Sequence, residues 1–116
     1  MSLNRYAPEA VNYGTFSHAS DVWSFGVTLW EMFTFGDQPY EDMTGAQVVT
    51  YLEKGGRLPR PDGCPAHIYD VMNECWRYKA EDRVTFKRLL TFFNDECSRL
   101  GETFIHPSGT LRGTSA

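Results

Sequence analysis

One run constrains this chain more than any other: Ser17-His-Ala-Ser-Asp21-Val-Trp23-Ser-Phe25-Gly26-Val-Thr-Leu29-Trp30-Glu31-Met-Phe33, a polar start followed by residues that are apolar on almost every side. Val22, Phe25, Gly26, Leu29, Met32 and Phe33 recur at helical spacing as one broad stripe, and Trp23 and Trp30 add bulk to its flanks. A helix of this kind is expected at the centre of a domain, buried all round. Ser17 or Ser20 caps its start, and it should run to about Thr34 and stop at Gly36. Asp21 falls in its first turn, where the helix dipole favours a carboxylate but burial is costly unless its oxygens accept hydrogen bonds.

The rest of the chain reads as helical too. Ala7-Pro8-Glu9-Ala10 fits a short turn with Pro near its first position, followed by a loop through Asn12, Tyr13 and Gly14. Thr44-Gly-Ala-Gln47 has the form of a capping box ahead of the apolar face Val48, Tyr51 and Leu52, and Gly55-Gly56 ends that helix. Residues 57–64 form a rigid connector. Pro65 then opens a helix with Ile68, Val71, Met72, Cys75 and Trp76 on one side. A loop through Glu81-Asp82-Arg83 leads to a last helix marked by Phe86, Leu89, Leu90, Phe93, Cys97 and Leu100, ending near Gly101. No alternating run is long enough for a strand, so the expected fold class is all-α. Residues 1–5 carry no pattern and read as an N-terminal extension or scar. Residues 101–116 read as a disordered tail.

Composition narrows the function classes. A length of 116 residues allows one small domain. A net charge of −4 without a basic run excludes a nucleic-acid surface of the phosphate-neutralising kind. No apolar run reaches the ~18 residues of a membrane span. Cys64, Cys75 and Cys97 lack C-x-x-C spacing and read as reduced thiols of a cytoplasmic protein. His18, His67 and His106 are scattered, so no metal site is assigned.

Ala7-Pro8-Glu9, then Ser20-Asp21-Val22-Trp23-Ser24-Phe25-Gly26-Val27, then Cys75-Trp76, Glu81-Asp82-Arg83 and Thr85-Phe86 follow one another as in the back half of a protein-tyrosine kinase catalytic domain. Residues 6–100 thus resemble a partial C-lobe of that family: the end of the activation segment, a central helix and three further helices. The run Gly56-Arg57-Leu58-Pro59-Arg60-Pro61-Asp62-Gly63-Cys64-Pro65 is most similar to cytoplasmic, non-receptor members, the Janus, Syk/ZAP, Ack and SH2-ankyrin types.

The resemblance implies that Glu9 and Arg83 meet in a buried ion pair that pins the activation segment to the helical base. It implies that Asp21 supports the catalytic loop by accepting its backbone hydrogens, and that Tyr6, Ala7 and Pro8 edge a substrate pocket. Without it, Glu9 and Arg83 read as surface charges and Asp21 as a capping acid facing water. Two departures stand out. Asn4-Arg5-Tyr6 replaces the family's usual basic residue and Trp, which leaves the pocket after the substrate tyrosine incomplete. Val84 stands where the family prefers Pro, which should weaken the start of the last helix modestly.

ATP and Mg²⁺ are the cofactors the resemblance implies for an intact kinase, with protein substrates or regulators as partners of the helical lobe. The chain itself has no G-x-G-x-x-G, H-R-D or D-F-G, the groups that position nucleotide and metal in this family. It is therefore expected to be a truncated, inactive scaffold with no cofactor of its own. A non-enzymatic helical interaction module, such as a competing short isoform, is the alternative. Faces of the central helix left uncovered by the truncation would favour self-association.

Overall fold

The computed structural model describes residues 3–105, with side chains described for 4–100. Among the described residues every regular element is helical. The five α-helices are α1 (Pro8–Tyr13), α2 (His18–Phe33), α3 (Gly45–Glu53), α4 (Ala66–Cys75) and α5 (Phe86–Ile105), with short 3-10 turns at Leu3–Arg5 and Ala80–Asp82. The chain divides into two compact units, one ending at Thr85 and one beginning at Phe86.

In the first unit α2 is the axis. Ser17 is its N-cap, and Ser20 answers it: the Ser17 hydroxyl accepts from the Ser20 N–H while the Ser20 hydroxyl accepts from the Ser17 N–H at 2.7 Å. Both candidate caps therefore act, as the two halves of one box. At the other end Thr34 is the C-cap and Phe35 takes a left-handed φ of 59°. The Gly36 N–H then reaches back to the Glu31 carbonyl at 2.9 Å, closing the last turn.

Burial around α2 departs from the expected all-round pattern. Val22, Trp23, Gly26, Val27, Leu29 and Trp30 are buried, and Trp23 is fully so. Asp21, Thr28 and Met32 are exposed, Met32 by 65%. The tryptophans are thus the centre of the buried face and not its flanks. The reason is packing: α4 lies against the Trp23–Gly26–Trp30 side, and the spacing of apolar residues alone does not say which arc of a wide stripe a neighbour will cover.

Gly26 permits that approach. A Cβ there would stand 2.7 Å from Trp76 Nε1 and 2.8 Å from Cys75 Cβ, so only a residue without a side chain lets α4 come so close. The connector between α3 and α4 is pulled into the same core. Leu58, Pro61 and Cys64 are buried, and Trp30 Nε1 donates to the Pro59 carbonyl at 2.8 Å.

Three boundaries differ from the sequence reading. Residues 3–5 are ordered as a 3-10 turn, because Asn4 Nδ2 donates to the Pro39 carbonyl and the Arg5 carbonyl accepts from the Ser24 hydroxyl of α2. α1 is a full helix to Tyr13, ended by Gly14 at φ 66°. α5 continues through Gly101 to Ile105. A single glycine costs a helix only ~1 kcal/mol, and the first strong breaker downstream is Pro107. The remainder of the expected tail, 106–116, lies outside the described residues, as do residues 1 and 2 of the expected extension.

Candidate functional site

Glu9, on α1, and Arg83, after the second 3-10 turn, are 74 positions apart in sequence and meet in a bidentate ion pair. Arg83 Nη1 and Nη2 donate to the two Glu9 carboxylate oxygens at 2.7 and 2.8 Å. The remaining donors are also placed: Nε on the Arg77 carbonyl at 2.8 Å, Nη1 on the Ala19 carbonyl at 3.1 Å and Nη2 on the Tyr78 carbonyl at 3.0 Å. A guanidinium has five N–H donors, and here each has an acceptor. That is the condition under which burying the charge is tolerable, and the Arg83 side chain is indeed fully buried while Glu9 retains 19% exposure.

The clasp closes over an aromatic floor. The Arg83 guanidinium lies 5.0 Å from the Trp23 ring centroid, and Arg57 lies 5.4 Å from the same ring. Arg57 is anchored by Nε to the Trp76 carbonyl at 2.8 Å and by Nη1 to the carbonyls of Leu52 and Gly56. It therefore joins the C-terminal ends of α3 and α4 to α2, at helix ends where a cation is favoured. Sequence reasoning missed Arg57. It belongs to no helical stripe, and its partners are backbone carbonyls, which leave no trace in residue pattern.

Burial acts to raise the pKa of Glu9, but hydrogen bonds from Arg83 and from its own backbone, together with the Arg83 charge, hold its carboxyl below the usual 4.5. Cys75, beneath the α2–α4 crossing, is pushed up to about 12 by burial and by Glu74, so it is a neutral core thiol.

The other expected residues divide. Ala7 and Pro8 are buried and Tyr6 is half-buried, edge-on to Phe16 with centroids 5.6 Å apart. Beside Tyr6 and Pro8 a largely apolar cavity of ≈ 260 Å³ opens against Ala46, Val49 and Leu52 of α3. Asp21 stands apart from both clasp and cavity: it lies on the exposed side of the first turn of α2.

Two positions in the segments that depart from the resemblance make contacts of their own. Arg5 bonds Glu31 of α2 through Nε and Nη2, the latter at 2.8 Å. The Val84 N–H, which proline would lack, donates to the Glu74 carbonyl at 3.3 Å.

The family model for protein tyrosine and serine/threonine kinases matches residues 1–93. This chain belongs to that kinase family. Tyrosine-protein kinase HTK16 of Hydra vulgaris is 57% identical over 91 residues, covering 78% of this chain and 12% of the relative. Tyrosine-protein kinase Shark of Drosophila melanogaster is 53% identical over 88 residues, covering 76% of this chain and 9% of the relative. The match thus spans about a tenth of the length of these curated kinases. Among the described residues of this kinase-family chain, no group of three or more His, Cys, Asp or Glu could hold a metal ion. No described helix is long and apolar enough to cross a membrane.

Proposed function

We propose that this chain is the helical base of a tyrosine-protein kinase catalytic domain, and that its task is to hold and orient parts that do the chemistry. The observation that carries this reading is the Glu9–Arg83 pair, whose two ends come from before and after α2 in the chain and which is tied to α2 through the Ala19 carbonyl. In the whole protein the reaction would be transfer of the ATP γ-phosphate to a protein tyrosine, with Mg²⁺ as the metal. Among the described residues no group of three or more His, Cys, Asp or Glu converges to hold Mg²⁺, and the sequence carries none of the G-x-G-x-x-G, H-R-D or D-F-G motifs that position nucleotide in this family. Nucleotide and metal would be bound by other residues.

What this chain's own residues do follows from their positions. The clasp keeps the segment from Tyr6 to Glu9 rigid. The cavity beside Tyr6 and Pro8 is suited to an apolar side chain of a protein substrate or regulator. Asp21, Thr28 and Met32 form the open face of α2, offering a carboxylate to backbone N–H groups and apolar surface to a neighbouring segment. Placement in the cytoplasm agrees with three unpaired cysteines, two of them buried.

The test is phosphoryl transfer from radiolabelled MgATP to a tyrosine peptide by the purified 116-residue chain. No transfer above the no-protein control is expected, and measurable turnover abolished by Asp21→Asn would overturn the scaffold reading. A second reading, a non-enzymatic interaction module, is favoured by the exposure of Met32 at 65% and Phe35 at 96%. Capture of an intact kinase's partner by the chain, lost on Met32→Glu, would support it. Self-association through the same face would instead appear as a dimer abolished by that substitution.

A further inference from the structure

Phe35 stands just past the end of α2 with a left-handed φ of 59°, a conformation that favours glycine at a helix end, and it is 96% exposed. A phenylalanine there strains the backbone and buries almost none of its ring in return. Beside it a cavity of ≈ 450 Å³ opens between the end of α2 and the connector that precedes α4, lined by Met32, Phe33, Phe35, Asp62 and Gly63. The connector turns there: the Cys64 N–H donates to the Pro61 carbonyl at 3.0 Å, Gly63 takes φ 79°, and Asp62 is left exposed. Asp62 is the charged residue of that lining, and among the described residues it has no ion-pair partner. Arg60, the cation nearest to it in sequence, lies close enough to Cys64 to act on its thiol. We propose that this cavity is a docking site for an arginine side chain carried by a segment of a partner protein.

Each part of that side chain has a counterpart in the lining. Met32, Phe33 and Phe35 offer apolar surface for the arginine stem and for the flat face of its guanidinium. The Asp62 carboxylate offers acceptors for its N–H donors. Asp37, exposed two residues past Phe35, adds a second carboxylate to the turn that ends α2, where the Thr34 hydroxyl accepts from its N–H at 3.1 Å. Charge selects among occupants. A purely apolar side chain would cover Asp62 without a counter-charge, and an acidic one would be repelled by it. Lysine would bring a charge but no planar face to lie on a ring. The site is open to water, where such contacts are weak, so a dissociation constant on the order of a millimolar is expected for a short peptide. The proposal deepens the interaction reading of the exposed end of α2 and rests on it.

The test is an NMR titration of the intact, ¹⁵N-labelled 116-residue chain with the blocked peptide acetyl-Gly-Arg-Leu-Gly-amide. Saturable shifts are expected at the backbone amides of Met32, Phe33, Phe35, Asp62 and Gly63. Affinity should fall about tenfold with Asp62→Asn, and by a similar factor when citrulline, which keeps the shape and loses the charge, replaces the peptide's arginine. Phe35→Gly should weaken binding as much while leaving the thermal midpoint unchanged or raised, because glycine suits the left-handed backbone. That variant separates a binding role of the ring from a folding role. No shifts at peptide concentrations well above a millimolar, or binding untouched by Phe35→Gly, would overturn the proposal. Equal binding of the citrulline peptide would also overturn it, by making the occupant apolar, yet would leave the interaction reading standing. Shifts at the same amides on raising the chain's own concentration, lost in Phe35→Gly, would overturn it by placing a second copy in the cavity.

Discussion

The two sides of α2 are built from the same sixteen-residue sequence and have opposite characters. On one side Trp23 is sealed beneath two guanidiniums, Gly26 lets α4 into contact and Trp30 holds the connector by a hydrogen bond. On the other, Asp21, Thr28 and Met32 are exposed. Hydrophobicity does not separate the sides, since Met32 is as apolar as many core residues. What separates them is whether another element supplies groups that only that side can use: carbonyls for Arg83 and Arg57, and a backbone close enough to require a glycine.

Breaking the sealed side at its clasp should have the largest effect. Arg83→Met removes the partner of Glu9 and leaves the Arg77, Ala19 and Tyr78 carbonyls without their donor, and a loss of ~3–5 kcal/mol is expected from urea unfolding midpoints at unchanged m. Acid should loosen the same clasp. The folded-state pKa of Glu9 is lowered from 4.5, so its contribution is fully present above that unfolded value and is lost as pH falls through the folded value. Urea midpoints measured from pH 7 downward should therefore converge for the wild-type and Glu9→Gln chains only in acid. Parallel curves across the whole range would show that the pair does not contribute.

Next in size is the close approach of α4. Gly26→Ala gains up to ~1 kcal/mol of helix propensity. Overpacking an indole and a neighbouring Cβ costs ~1–3 kcal/mol. A net loss of ~1–2 kcal/mol in thermal unfolding is therefore expected, and stabilisation would mean that the Trp76 ring moves aside freely. The smallest effect belongs to the open side. Met32→Gln should change stability by no more than ~0.5 kcal/mol, because the side chain leaves little packing behind. A loss as large as that of Gly26→Ala would show that the two sides are not as different as their exposure indicates.

Much of this architecture was legible in the residues. Ser17 and Thr44 begin helices where their side chains suggest, and Pro65 stands at the start of α4. Caps are readable because donor and acceptor lie within four residues of each other. The pairing of Glu9 with Arg83 was accessible only through resemblance, since nothing in either residue's neighbourhood names the other. Arg57, the Arg5–Glu31 bond and the ordering of residues 3–5 were not legible, because they depend on carbonyls and carboxylates brought in from distant elements.

By itself the sequence determined where helices start, that no strand competes with them, and to which family the chain's motifs point. Those are local properties of spacing, capping and side-chain type. Only the tertiary structure decided which arc of α2 is sealed, that two cations share one tryptophan, and that Asp21 faces outward. Each of these depends on the angle and depth at which one helix meets another, and that geometry is settled by close contacts among residues far apart in the chain.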